Sequence, residues 1–349
     1  MKHLSTDVDG LALSLRQRLV DLKRRRVLIA DLRGSIQARD VHLVNCGGVG
    51  RVWHKEVNPS EGWNDVPVPH YPASWRLGIP VEEASYIQVF QLAGCNYRCW
   101  YCYVDYHLLN ATPKWSRFFS AEELIALWQK ESLRPRVIRL SGGQPDLVPE
   151  WVPWMMEAMI EVGIDGETYL WVDDNLSGYY AWRFLTEEEW DLILNYPNFG
   201  RIGTIKGIDP ESFHYNTGAP PEHFFRQIDL LGRWVKSGVD QYAYLILTTP
   251  NVEKAPERIE KLLDLLQEIH PNLPLRVFPQ RIRRYSPTIS RLTPEREETL
   301  YNQGLVLDLW NQSLRRRFDE HLLSLPCYAV DVGQRHSALL PEDERKDEL

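Results

Sequence analysis

Three of the chain's five cysteines, Cys95, Cys99 and Cys102, fall within eight residues at the spacing C-x-x-x-C-x-x-C. Thiolates crowded onto one loop are donors for a metal, and an iron–sulfur cluster and zinc both suit them. Either usually takes four ligands, so the fourth is the open question. His107, five residues after Cys102, would complete a Cys3His zinc site at a spacing that zinc modules use. Spacing alone leaves both metals open. The run YIQVFQL at 86–92 reads as a strand leading into this loop. The thiols then sit at the C-terminal end of a core strand, where α/β folds place their sites.

The elements around the loop repeat one pattern. Strand-like runs at 137–140, 168–172, 202–205, 242–247 and 275–278 alternate with helical runs at 120–133, 150–162, 186–195, 221–237 and 255–269. Ser120 with Glu123 and Thr186 with Glu189 have the spacing of capping boxes, and Thr293 with Pro294 opens a further helix to Arg317. Strands separated by helical crossovers imply right-handed parallel βαβ units, closed into an open or partial barrel. The ends of several of these strands carry glycine or polar residues: Ser141-Gly142-Gly143-Gln144-Pro145, Asp173-Asp174-Asn175, Lys206 and Arg281. One site across the C-terminal mouth of the sheet accounts for that distribution.

Residues 1–84 read as an N-terminal extension, with helix-like apolar spacing over 11–32, a basic run at 23–26, a strand at 41–44 and a glycine-rich turn at 46–50. No Lys-Ser/Thr follows that turn, so it reads as a plain tight turn, and the proline-rich 58–75 as an extended connector. A net charge of −8 argues against bulk attraction to nucleic acid. No run of 18 apolar residues suggests a membrane helix, and the first residues lack a signal-peptide core. The terminal Lys-Asp-Glu-Leu therefore reads as chance after an acidic, solvated stretch at 341–345. Five cysteines, an odd number with three clustered, fit a reducing compartment, so a cytoplasmic location is expected. Cys46 and Cys327 are too few for a second cluster and read as buried, inert thiols.

Cys95, Cys99, Tyr101 and Cys102 match C-x-x-x-C-x-aromatic-C, and the chain resembles the radical S-adenosylmethionine (radical SAM) superfamily on that signature. Ser141-Gly142-Gly143-Gln144-Pro145 resembles its Gly-Gly-Glu-Pro motif, with Gln144 in place of Glu. The layout over 85–285 looks most like pyruvate formate-lyase activating enzyme and related activases. Asp173-Asp174-Asn175 resembles their third-strand segment, and Lys206 with Asn216-Thr217-Gly218 their fourth. Thr204 in place of Asp, and Val277-Phe278-Pro279-Gln280-Arg281 without a histidine, depart from them and put the substrate in doubt.

The resemblance implies a partial (β/α)6 barrel of the radical SAM type at 85–285, with 286–349 a C-terminal helix and acidic tail. It implies a [4Fe–4S] cluster on the three cysteines, with one iron open to S-adenosylmethionine. Tyr101 and Tyr103 would flank the adenine, Gly142, Gly143 and Gln144 would hold the ammonium, Asp173 and Asn175 would face the ribose, and Lys206 would meet the carboxylate. The activity implied is reductive cleavage of SAM to a 5′-deoxyadenosyl radical that abstracts hydrogen, activase-like, from a glycine of a partner protein. It would be oxygen-sensitive and supplied with electrons by a flavodoxin or ferredoxin. Arg281, Arg283 and Arg284, beside Tyr285, motivate a second reading in which a nucleotide, RNA or small anionic metabolite is modified. The Cys3His zinc module is the third.

Overall fold

The computed structural model describes residues 7–39, 43–54 and 68–335. Helix α1 (Val8–Leu19) starts where the Asp7 carboxylate accepts the Gly10 amide and stops at Val20, which is extended. The chain does not continue as helix to residue 32. It forms β1 (Val20–Asp21), a short turn with Arg25 at φ 50, and β2 (Arg26–Ala30). The apolar spacing there serves a strand, because β-branched Val27 and Ile29 gain an antiparallel partner that a lone helix lacks. β3 (Leu43–Asn45) and β4 (Gly50–His54) are an antiparallel pair joined by the glycine-rich turn. Residues 58–67 of the expected connector, like 41, 42 and the acidic tail, lie outside the described residues. From His70 that connector is instead helical, as α2 (His70–Leu77), closed by Gly78 at φ 63, and α3 (Val81–Ala84). Pro72 falls in the first turn of α2, where its missing N–H costs nothing.

The alternating segment then follows the expected order. β5 (Tyr86–Gln91) leads into the cysteine loop, and β6 (Ser116–Ser120) joins β1 and β2 in a small sheet. Next come α4 (Ala121–Gln129), β7 (Val137–Ser141), α5 (Trp151–Glu161), β8 (Tyr169–Asp174), α6 (Tyr180–Phe184) and α7 (Glu187–Asn195). β9 (Phe199–Ile205), α8 (Pro210–Thr217), α9 (His223–Ser237), β10 (Gln241–Ile246), α10 (Ala255–Ile269) and β11 (Val277–Gln280) complete it. α11 (Ser286–Ile289), α12 (Pro294–Arg317) and α13 (Glu320–Ser324) end the described chain. Both capping boxes are present, at Ser120 with Glu123 and Thr186 with Glu189. Among the described residues, no helix is long and apolar enough to cross a membrane.

The large sheet runs β11-β10-β9-β8-β7-β5-β4-β3. The six strands from β5 to β11 are mutually parallel, and β4 adds antiparallel to β5, so residues 43–54 continue the core sheet. This is a partial barrel. Helices α4, α5, α9 and α10 bury their apolar stripes on one face. Ile87, Val89, Val137, Tyr169, Trp171 and Tyr242 fill the other together with Ala73 and Ala84 from α2 and α3.

A buried ion pair ties adjacent strand ends. Asp174 on β8 meets Arg201 on β9 at 2.6 Å, and the guanidinium stacks 3.2 Å from the Trp234 ring centre. The same carboxylate accepts from the Leu176 amide and from Gln144, both at 2.7 Å. Breaking one side of such a pair strands a charge, at a cost of roughly 3–5 kcal/mol. Asp174→Ala is therefore expected to lose about that much stability in urea unfolding; an unchanged midpoint would contradict the account.

Between α10 and α12, Glu260 accepts from Ser313, Arg316 and Arg317. Although burial opposes it, these hydrogen bonds hold Glu260 down from 4.5 to about 2. Its contribution is therefore complete above pH 4.5 and lost as pH falls toward 2. Amide exchange in the last turns of α12 should accelerate over that range, and Glu260→Gln should remove most of the pH dependence.

Candidate functional site

Backbone contacts from several directions hold the cysteine loop. The Leu92 amide bonds the Ser141 carbonyl at 3.0 Å, the Ala93 amide bonds Leu28 at 2.9 Å, and the Cys95 amide bonds Leu109 at 3.2 Å. Asn216, at the end of α8, accepts the Trp100 indole N–H at 3.0 Å through its side chain and the Trp100 amide at 3.2 Å through its carbonyl. The Tyr106 hydroxyl donates to the Arg98 and Cys99 carbonyls. Arg291, from beyond the barrel, donates to the Cys102 carbonyl at 2.8 Å and to Val104 at 3.2 Å, and lies 3.6 Å over the Tyr106 ring. The chain fixes the loop backbone before any metal is considered.

The second loop presses on the first. Gly142 has φ +81, and a Cβ there would run into the Gln91 side chain. A Cβ on Gly143 would run into the carbonyls of Leu92 and Gly94, while the Gln144 amide donates to Gly94 at 2.7 Å. Glycine is required at 142 and 143 for this close approach.

Cys99 is buried, and Cys95 and Cys102 are partly so. Burial pushes the Cys102 thiol up to about 12, and the neighbouring Cys99 and Cys95 add to it. Burial likewise raises Cys99, against which the Lys206 charge acts. Three thiolates here need a positive centre to balance them, which is the condition a metal satisfies. Among the described residues, no three His, Cys, Asp or Glu side chains converge on one ion position. His107 turns Nδ1 to Asp105 at 3.2 Å and packs on Trp115 at 4.4 Å, so the Cys3His arrangement is not formed. Cys46 and Cys327 are buried elsewhere, each pushed up to about 12 by burial.

The other candidates divide. Gln144 is buried, its amide oxygen accepting from the Asn175 backbone and its nitrogen donating to Asp174, both at 2.7 Å. It is a strut between strand ends, its oxygen engaged by the Asn175 amide and its nitrogen by Asp174. Asn175 donates to Asn96 at 3.0 Å and approaches the Cys95 sulfur at 3.6 Å. Gln227 on α9 accepts the Lys206 amide at 3.0 Å and donates to the Asn175 and Thr204 carbonyls, linking the ends of β8 and β9. Asp173 is bound by Arg139 at 2.8 Å and by Ser141. Tyr101 is buried beside Trp100, whereas Tyr103 accepts from Arg51 at 3.1 Å and meets Tyr285 edge-on. Arg281, Arg283 and Arg284 line a groove of about 570 Å³ with Leu300, Tyr301 and Gln303, and Arg284 is 3.5 Å from Glu297.

Asn96, Gln227 and Arg291 are supports that the sequence does not mark by spacing, whereas Asn216 stands in the Asn216-Thr217-Gly218 segment already singled out. Arg51 and Arg139 carried a signal, a charge inside an apolar strand, which was not taken up.

No curated protein matches the chain. Streptococcus suis SuiB bound to S-adenosylmethionine is similar over 66% of this chain and 47% of its own, at 13% identity and TM-score 0.43. Native anSMEcpe with bound AdoMet is similar over 64% of this chain and 60% of its own, at 14% identity and TM-score 0.41. The chain thus spans about half the length of these structures. The radical SAM superfamily profile matches residues 91–266, just over half of the sequence and the whole stretch from the cysteine loop through most of α10. The chain belongs to the radical SAM superfamily.

Proposed function

We propose that the chain holds a [4Fe–4S] cluster through Cys95, Cys99 and Cys102 and binds SAM across the strand ends, to abstract hydrogen from a small anionic substrate in the barrel. The superfamily implies an iron–sulfur cluster and SAM. The observation that carries the finer reading is the pinned loop of three neighbouring thiols at the mouth, with Lys206 acting on Cys99. The bound cluster and SAM would together supply one-electron cleavage to a 5′-deoxyadenosyl radical.

The protein's own part is ligation, orientation and exclusion of water. Lys206, 8% exposed at the end of β9, offers a fixed cation for the SAM carboxylate. Gly142 and Gly143, which let the glycine loop close on the cysteine loop, would offer their backbone to the ammonium end, and Gln144 fixes their loop. Asn175 braces Cys95, Tyr101 packs beside Cys99, and Asp173 and Tyr103 face the barrel. Electrons would come from a flavodoxin or ferredoxin. The activase-like reading, with a glycine of a partner protein as target, rests on motif likeness alone. The anionic reading has a specific observation in its favour: Arg281, Arg283 and Arg284 line one groove beside β11.

The test is anaerobic reconstitution followed by electron paramagnetic resonance with and without SAM, with 5′-deoxyadenosine assayed in the same tube. A reduced-cluster signal that SAM shifts, absent in Cys99→Ala, is expected. Lys206→Met should keep the cluster signal while raising the SAM concentration needed about tenfold or more, as loss of a charge-assisted contact does. Tightly bound zinc, or a cluster indifferent to SAM, would overturn the proposal. A glycyl radical on an added partner protein would move the substrate to the activase reading.

A further inference from the structure

Among the described residues, the barrel interior below the cysteine loop holds more positive charge than it balances. In the sheet register Arg51 on β4 lies opposite Val89 on β5, and Val89 lies opposite Arg139 on β7. Residues in register project to the same face, so the two arginines flank Val89, roughly 10 Å apart at their backbones given the strand spacing. Both are buried, at 2% and 6% exposure. Two residues further along β5, on the same face, Gln91 lies opposite Ser141.

The partners do not balance. Arg139 has Asp173, bound through Nε at 3.0 Å and a terminal nitrogen at 2.8 Å, and the pair holds its charge firmly although burial opposes it. Arg51 has only the neutral phenol of Tyr103 at 3.1 Å among the described residues. Burial above all, and the nearby Arg139, push Arg51 down, and Tyr103 with the shared Asp173 offset this only in part. The Nε of Arg51, one terminal nitrogen of Arg139 and both amide atoms of Gln91 are buried without a hydrogen-bond partner. Buried donors are normally satisfied, and a buried charge is normally paired. Four orphaned atoms in one corner of a barrel, with one carboxylate for two guanidiniums, describe a site whose acceptor arrives with a ligand.

We infer that Arg51 and Arg139, with Gln91 beside them, form a carboxylate-binding site in the barrel, and that the substrate of the proposed reaction carries that carboxylate. The identity of the carboxylate as substrate rests on the radical SAM reading above; the site itself does not. One free donor on each guanidinium matches the two oxygens of a planar carboxylate. Tyr103, half-buried on the cysteine loop, is the neutral place-holder on Arg51, and an entering carboxylate takes over its hydrogen bond. Arg51 comes from the N-terminal segment, so this gives residues 43–54 a role in substrate choice.

The test uses the reconstituted protein with SAM present, so that SAM's own carboxylate is already placed. Succinate and inorganic phosphate are titrated while thermal unfolding is followed. Succinate should raise the midpoint saturably in the wild type. In Arg51→Met it should bind about tenfold more weakly or not at all, with partial recovery in Arg51→Lys. Without succinate, Arg51→Met should unfold at a higher temperature than wild type, since it removes a buried unpaired charge. A purely structural arginine would lower that midpoint instead, and this result would overturn the inference. So would no saturable response of the wild type to succinate, a response unchanged in Arg51→Met, or a response to phosphate alone. Wild type that binds succinate through Arg51 but releases no 5′-deoxyadenosine would sink the radical reading and leave the site standing.

Discussion

The close approach of two strand-end loops is the constraint on which the rest of this structure depends. The cysteine loop leaves β5, the glycine loop leaves β7, and these strands are neighbours in the parallel sheet. Gly143 lies against the carbonyls of Leu92 and Gly94, and the Gln144 amide bonds Gly94. A side chain at 143 would push the thiols off the mouth of the barrel. The loops can approach because Gly142 takes a left-handed turn that other residues adopt at a cost. Asn216 and Arg291 then secure the far side from α8 and from beyond the barrel. The backbone that carries the three thiols is thus ordered largely by contacts that do not involve their sulfurs.

Charge is treated differently on the two faces of the sheet. On the helix-covered face Asp174 and Arg201 are paired, the guanidinium stacks on Trp234, and the carboxylate also accepts from the Leu176 amide and from Gln144. On the inner face Arg139 is paired with Asp173, whereas among the described residues Arg51 is hydrogen-bonded only to the Tyr103 phenol. The contrast separates a device that holds strand ends together from one that waits for a ligand. An unpaired interior cation reduces stability, and proteins keep such groups where binding needs them.

Much of this was legible in the sequence, and what was not has a physical reason. Cys95, Cys99 and Cys102 are local in the chain, so their spacing alone specifies a common loop. The capping boxes at Ser120 and Thr186 are equally local, and the helices start where they say. The segment at 11–32 was misread because Leu28 and Ile29 fit a helical stripe as well as a strand, and only β6, nearly ninety residues on, decides between them. The register that sets Arg51 beside Val89 and Arg139 is non-local in the same way. A lone arginine in RVW or VIRLS shows an anomaly, but its partner appears only when the sheet is assembled.

The glutamine in the glycine loop has an explanation of the same kind. Gln144 gives its amide nitrogen to Asp174 and takes the Asn175 amide on its oxygen. A glutamate at 144 would set a second carboxylate against Asp174, with Arg201 the one guanidinium bonded to that carboxylate. Asp146, also buried nearby, is already held well above the usual carboxylate range by burial and by the Asp174 charge. The neutral amide serves both neighbours at once, as donor to one and acceptor to the other, and adds no charge. Gln144 is therefore coupled to Asp174, and the departure from Glu is set by the strand next door as much as by any ligand at the mouth.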